Sequence, residues 1–136
     1  MHAWLCEDPI GVSSLHWTAL PTPKPQAGQV LIEIKAASLN FPDLLIVQNK
    51  YQFRPPLPFV PGSEYAGVVQ AVGEGVTQLK VGQHVACLSG TGGFGTHNLA
   101  PETLCMPLPD NCSFVDAAAF IMTYATSHHA LLDRGQ

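Results

Sequence analysis

Three kinds of group in this 136-residue chain invite a chemical reading: a carboxylate in an apolar run, a glycine-rich hexapeptide, and scattered histidines and thiols. The carboxylate is Glu64, within Pro61-Gly62-Ser63-Glu64-Tyr65-Ala66-Gly67-Val68-Val69-Gln70-Ala71-Val72-Gly73. In such surroundings an anion needs a cation or several hydrogen-bond donors to hold its charge away from water. Glu64 is therefore either a buried structural anchor or a site residue, and the sequence leaves both open. The hexapeptide Gly90-Thr91-Gly92-Gly93-Phe94-Gly95 satisfies G-x-G-x-x-G, the dinucleotide-binding pattern. That pattern must open a helix, whose first N–H groups and dipole hold a pyrophosphate. Here Thr96-His97-Asn98-Leu99-Ala100-Pro101 follows, which reads as a strand ending at a proline, so the segment is read as a turn between strands.

The potential metal ligands are poorly arranged. His84 and Cys87 are three apart, which on a strand aims them at opposite faces, and Cys105 and Cys112 are seven apart. The adjacent His128 and His129 are expected on an amphipathic helix, one partly buried and one exposed. Ser38-Leu39-Asn40-Phe41-Pro42-Asp43 reads as a turn, because Asn and Asp side chains bond to nearby backbone and Pro42 fixes its own φ. Tyr51, in Gln48-Asn49-Lys50-Tyr51-Gln52-Phe53, reads locally as a packing residue.

The elements that must position these groups are mostly short strands. Val30-Leu31-Ile32-Glu33-Ile34-Lys35-Ala36-Ala37 puts Glu33 and Lys35 on one face and Ile32 and Ile34 on the other, the period of a half-buried strand. Pro21, Pro23 and Pro25 exclude regular pairing before it. Further strands are expected at Tyr65–Val72, His84–Leu88, Thr96–Leu99 and Leu104–Pro107, and Val81-Gly82-Gln83-His84-Val85 reads as a turn feeding a strand. Ser113-Phe114-Val115-Asp116 has capping-box spacing, and Ala117-Ala118-Ala119 favours helix. The helical pattern runs to about Leu132, with Thr123, Thr126 and Ser127 allowing a break. Residues 1–112 are thus β-rich and residues 113–136 helical.

Composition narrows the partners. Only 12% of residues are charged and the formal net charge is -4, with six scattered basic residues, which argues against nucleic acid. Twelve prolines and twelve glycines fit many turns. The four cysteines show no C-x-x-C pair, as expected of reduced thiols. Met1–Asp8 lacks the basic start and apolar core of a signal peptide, and no apolar run is long enough for a bilayer, so a cytoplasmic protein is expected, with a mitochondrial one not excluded.

Taken in order, Ala36–Asp43, Pro61–Gly73, Val81–Val85, Gly92–Thr96 and Ala117–Phe120 resemble the amino-terminal part of the quinone oxidoreductase (zeta-crystallin-like) branch of the medium-chain dehydrogenases/reductases. The resemblance implies a mainly β fold with some α: a GroES-like, partly open β-barrel over residues 1–112. Residues 113–136 would lead towards a Rossmann domain that is absent. It places Asn40 and Thr126 at the nicotinamide end of the cofactor and Tyr51 in the substrate pocket. Asn40 and Ser63 stand where zinc-dependent relatives carry ligands, so no zinc is expected. Leu45 stands where some quinone reductases have a second tyrosine.

The implied activity is zinc-independent, NADPH-dependent reduction of a quinone or enone, a small-molecule substrate. Hydrogen bonds from the Asn40 amide and the Tyr51 hydroxyl would stabilise the developing oxyanion. Most cofactor contacts would lie outside this chain. The alternative is a non-catalytic truncated paralogue or interaction module, whose uncovered apolar seam would favour homo-oligomers.

Overall fold

The structure is a computed structural model and describes residues 1–135. Among the described residues seven strands form two sheets. β1 (His2–Cys6) pairs antiparallel with β2 (Leu15–Ala19) as a ribbon. The larger sheet contains β3 (Gln29–Ser38), β4 (Glu64–Val72), β5 (His84–Leu88), β6 (His97–Pro101) and β7 (Cys105–Pro107), in the spatial order β6-β3-β4-β5-β7 with every pair antiparallel. Single bridges from Ala3 to Gly95 and from Cys6 to Phe59 tie the ribbon to loops of the larger sheet. The architecture is the mainly β, partly open GroES-like barrel that the resemblance implies.

One α-helix lies between strands and another follows the last of them. α1 (Phe41–Val47) follows β3, and α2 (Phe114–Ala118) follows β7. Beyond α2 the chain continues as π-helical turns at Ile121–Ala125, an α-helical turn at Thr126–His128 and further π-helical turns at His129–Arg134. The expected break near Thr123, Thr126 and Ser127 does not occur there. Instead the chain turns at Ala119 and Phe120, and the Thr123 and Ser127 hydroxyls donate back to Ala119 O and Thr123 O without interrupting the helical winding.

The apolar pattern explains the layers. Val30, Ile32, Tyr65, Val69, Leu79, Val85, Cys87, Ala100 and Cys105 form the main core between the barrel's walls. Fully burying a valine or isoleucine side chain stabilises by about 1.5–3 kcal/mol, so Val30, Ile32, Val69 and Val85 alone supply a large share of the fold's cohesion. The outer face of β4 and β5 carries Ala66 and Ala86, small enough for Ala117 and Ala118 of α2 to lie close on them. A third cluster joins Cys6, Ile46 and Phe59, with Tyr51 packed against it.

The strand expectations for residues 30–37, 65–72 and 84–88 correspond to β3, β4 and β5. Glu33 and Lys35 share a face and form an exposed ion pair at 2.7 Å, while Ile32 and Ile34 turn inward. The hexapeptide is a turn from β5 to β6, with positive φ at Gly90 (82°) and Gly92 (98°), and it stacks on the loop before β4 through Gly93 N to Gly62 O, 2.8 Å. His84 packs on Phe114 outside the barrel, whereas Cys87 faces inward. Both His128 and His129 are exposed, which corrects the expectation that one is partly buried: every residue from 123 to 135 is exposed.

Candidate active site at Asn40 and Glu64

β3 and β4 end together, and their register sets Ser38 directly opposite Glu64. Glu64 has no solvent exposure, and among the described residues no cation pairs with it. Its charge is held by donors from three stretches of chain. Oε2 accepts from Ser38 Oγ at 2.8 Å and from Asn40 Nδ2 at 3.4 Å. Oε1 accepts from the backbone N–H of Ile121 at 2.5 Å and of Met122 at 3.1 Å. Those two N–H groups open the terminal helical run, where unpaired donors and the helix dipole favour an anion. Of the two readings that the sequence leaves open for Glu64, the anchor is directly visible, and its Oε2 side reaches a candidate site residue.

Asn40 caps α1. Its N–H donates to Asp43 Oδ2 at 2.9 Å, and Asp43 N donates back to Asn40 O at 3.0 Å. Pro42 lies in the first helical turn, where its missing N–H costs nothing. The segment read as a turn is therefore a helix start. Asp43, nearly fully buried, also accepts the Ser63 N–H at 3.0 Å and the Ser63 hydroxyl, which locks α1 onto the loop before β4. Ser63 is thus turned to Asp43 and not left as a loose surface hydroxyl.

The Asn40 side chain donates Nδ2 to Ser38 Oγ at 2.9 Å as well as to Glu64. Ser38 Oγ, Glu64 Oε2 and Asn40 Nδ2 close a triangle whose angle at nitrogen is much narrower than the spread of the amide's two hydrogens. One N–H therefore serves both acceptors, and the other points elsewhere.

Asn40 also lines a cleft of about 1040 Å³ between the β1–β2 ribbon, β3 and α1. Trp4, Trp17, Ile34, Phe41 and Leu44 make its walls mainly apolar. Tyr51 and Thr126 are not in that lining. Tyr51 is half-buried beyond the far end of α1, against the Cys6–Ile46–Phe59 cluster. Thr126 is exposed on the terminal helical run that Glu64 anchors. Asn40 and Tyr51 thus flank a seven-residue helix, which is about 10 Å long. Among the described residues no hydrogen bond joins Asn40, Tyr51 and Thr126.

Other titratable groups belong to the core. Burial pushes the Tyr65 phenol up, with the neighbouring Cys87 adding to the effect, so the phenol stays neutral. Its hydroxyl meets Ser89 Oγ at 3.1 Å and accepts from Asn98 Nδ2 at 2.8 Å. All four cysteines are free, and the buried Cys105 donates to Cys87 with the sulfurs 3.8 Å apart. Among the described residues no three His, Cys, Asp or Glu side chains converge as metal ligands, and no helix is long and apolar enough to cross a membrane.

Ser38, Ile121 and Met122 are the participants that residue type alone did not reveal. Ser38 could be found only by pairing the two strand ends, and the other two act through backbone N–H groups.

Residues 26–110 match the family model for the alcohol dehydrogenase GroES-like domain. The synaptic vesicle membrane protein VAT-1 homolog of Rattus norvegicus is 41% identical over 113 residues, which is 83% of this chain and 28% of that protein. The quinone oxidoreductase of Rattus norvegicus is 37% identical over 110 residues, 80% of this chain and 33% of that protein. A solved quinone oxidoreductase from Thermus thermophilus, described also in complex with NADPH, superposes with a TM-score of 0.84 at 32% identity, covering 99% of this chain and 41% of that one. The chain spans about a third of the length of the curated relatives it matches. With family model, sequence and superposed fold in agreement, the chain belongs to the alcohol dehydrogenase GroES-like family, in the quinone oxidoreductase branch of the medium-chain dehydrogenases/reductases.

Proposed function

We propose that this chain is the substrate-side catalytic unit of a zinc-independent, NADPH-dependent reductase of quinones or enones. The observation that carries the reading is the Asn40 amide, fixed by Ser38 and Glu64 with one N–H left over, at the edge of an apolar cleft. Such walls suit a flat, uncharged, lipophilic ring better than a charged substrate. Reduced nicotinamide, when bound, supplies the hydride. The chain's own task is to receive the negative charge that appears on the substrate oxygen, and the spare Asn40 N–H is the donor placed for it. Because its other N–H is already committed, the amide is held in orientation before the substrate arrives.

Tyr51 is assigned as a second donor, through its phenol hydroxyl. Thr126 is assigned to the nicotinamide side, on the helical run anchored by Glu64. These two assignments rest on the family resemblance. The Gly90–Gly95 turn leads into β6 and opens no helix that could hold a pyrophosphate, so tight cofactor binding needs a nucleotide-binding half. No zinc is assigned, because an amide and a hydroxyl occupy the positions of the ligands.

Joining residues 1–135 to the nucleotide-binding remainder of the rat quinone oxidoreductase tests the proposal. NADPH-dependent reduction of a 1,4-benzoquinone is the expected outcome. A folded, NADPH-binding chimera without turnover would overturn it.

The second reading, a non-catalytic interaction module, draws on the exposure of Phe120 (57%), Tyr124 (63%) and Leu131 (72%) along the terminal run. That apolar surface favours self-association of the isolated chain. Micromolar NADPH affinity together with quinone turnover by the isolated chain would refute this second reading.

A further inference from the structure

We infer that Glu64 is a positioning residue, which couples the orientation of the Asn40 amide to the docking of the helical run that begins at Ile121. The inference rests on the proposed role of Asn40, but it concerns how that side chain is set and not what it reacts with.

The two oxygens of Glu64 divide the work. Oε1 takes only the N–H groups of Ile121 and Met122, and Oε2 takes only Ser38 Oγ and Asn40 Nδ2. A rigid carboxylate cannot turn one oxygen without moving the other. Any tilt of the terminal run that lengthens the Oε1 bonds therefore displaces Oε2, and with it the Ser38–Asn40 pair. The neighbourhood leaves few substitutes: Glu64 has no exposed surface, so water cannot take over a lost bond without opening the site.

The rest of the run has little else to fix it. Residues 123–135 are all exposed, and the run's bonds beyond the Glu64 anchor include short-range ones from Ser127 Oγ to Thr123 O and between His129 Nδ1 and Asp133 Oδ2. The run thus meets the sheet at its first turn, through the Oε1 contacts and the packing of Ile121 against the Ala66–Ala86 cluster. Asp43 steadies the main chain of Asn40 by accepting its N–H, which leaves the side chain as the part free to respond.

Substitution separates the two oxygens. In Glu64→Gln the remaining carbonyl oxygen still receives the Ile121 and Met122 N–H groups, while the new amide donates towards Ser38 and repels the Asn40 Nδ2 hydrogens. In Glu64→Ala both sides are lost. Ser38→Ala removes the hydroxyl link and leaves the carboxylate.

The experiment is 15N NMR of the isotopically labelled chain, following the Asn40 side-chain N–H pair and the Ile121 and Met122 amides, with no cofactor or substrate present. Glu64→Gln is expected to move the Asn40 side-chain signals by more than a linewidth while Ile121 and Met122 keep their hydrogen-exchange protection. Glu64→Ala is expected to lower that protection about tenfold or more, the loss of a charge-assisted hydrogen bond. Ser38→Ala, which leaves Glu64 intact and serves if either Glu64 variant fails to fold, is expected to shift all three sets of signals. Asn40 signals unchanged in Glu64→Gln, or Ile121 and Met122 signals unmoved by Ser38→Ala, would overturn the coupling. Because no turnover is measured, that failure is distinguishable from a failure of the proposed reaction.

Discussion

β4 and the terminal helical run meet at Glu64 yet are built on opposite terms. Every residue from Pro61 to Gly67 is buried, whereas every residue from 123 to 135 is exposed. β4 is paired on both sides, by β3 and β5, and is packed on both faces. The terminal run has its own backbone bonds, the Glu64 anchor and the packing of Ile121 at its start. The contrast teaches that the sheet region is stabilised from within, while the run is stabilised chiefly at its first turn.

The comparison can be broken most forcefully in the core. Ile32→Ala, beside β4, leaves a cavity among Val30, Tyr65 and Val69 and is expected to cost about 2–5 kcal/mol in urea unfolding. Leu131→Ala at the far end of the run is expected to change stability by no more than about 0.5 kcal/mol. Similar losses from the two substitutions would mean that the run is as integral as the sheet.

Gly67→Ala is the next largest. A β-carbon there would collide with the carbonyl of Glu33 on β3, next to the register irregularity between Ile34 and Ala36. Overpacking of this kind costs about 1–3 kcal/mol, read from the same unfolding curves.

A pH dependence sharpens the same contrast. The folded state raises the Tyr65 phenol above its ordinary value, so the folded chain binds that proton more tightly than the unfolded chain. The resulting stability is fully present below about pH 10 and declines as the pH rises above it. Tyr65→Phe removes that contribution, and the alkaline slope of the midpoint should flatten. An unchanged slope would show that Tyr65 is not the group involved.

The contrast also explains which features a reader of residues can find. β3, β4 and β5 announce themselves through apolar runs in which Ile32, Val69 and Val85 recur on the inward face. β1 and β2 do not, because they turn Trp4, His16 and Trp17 to the surface. α1 was hidden by Pro42, which reads as a turn residue but is tolerated in a first helical turn. Asn40 and Glu64 stood out separately, one by motif and one as a charge in an apolar run. Their junction did not, because it depends on the register that sets Ser38 against Glu64 and on backbone N–H groups 57 and 58 residues away. Side-chain chemistry is written in residue types, while coupling between strands and a distant helix start arises only on folding.

The most direct measurement is the turnover number for a 1,4-benzoquinone with saturating NADPH, in the chimera with the rat nucleotide-binding half, comparing the unsubstituted chain with Asn40→Ala. Loss of a preorganised donor to the developing oxyanion predicts a fall in kcat of about 10²-fold, with the KM for NADPH little changed. An unchanged kcat would contradict the account, because the amide that Ser38 and Glu64 hold would then have no part in the reaction.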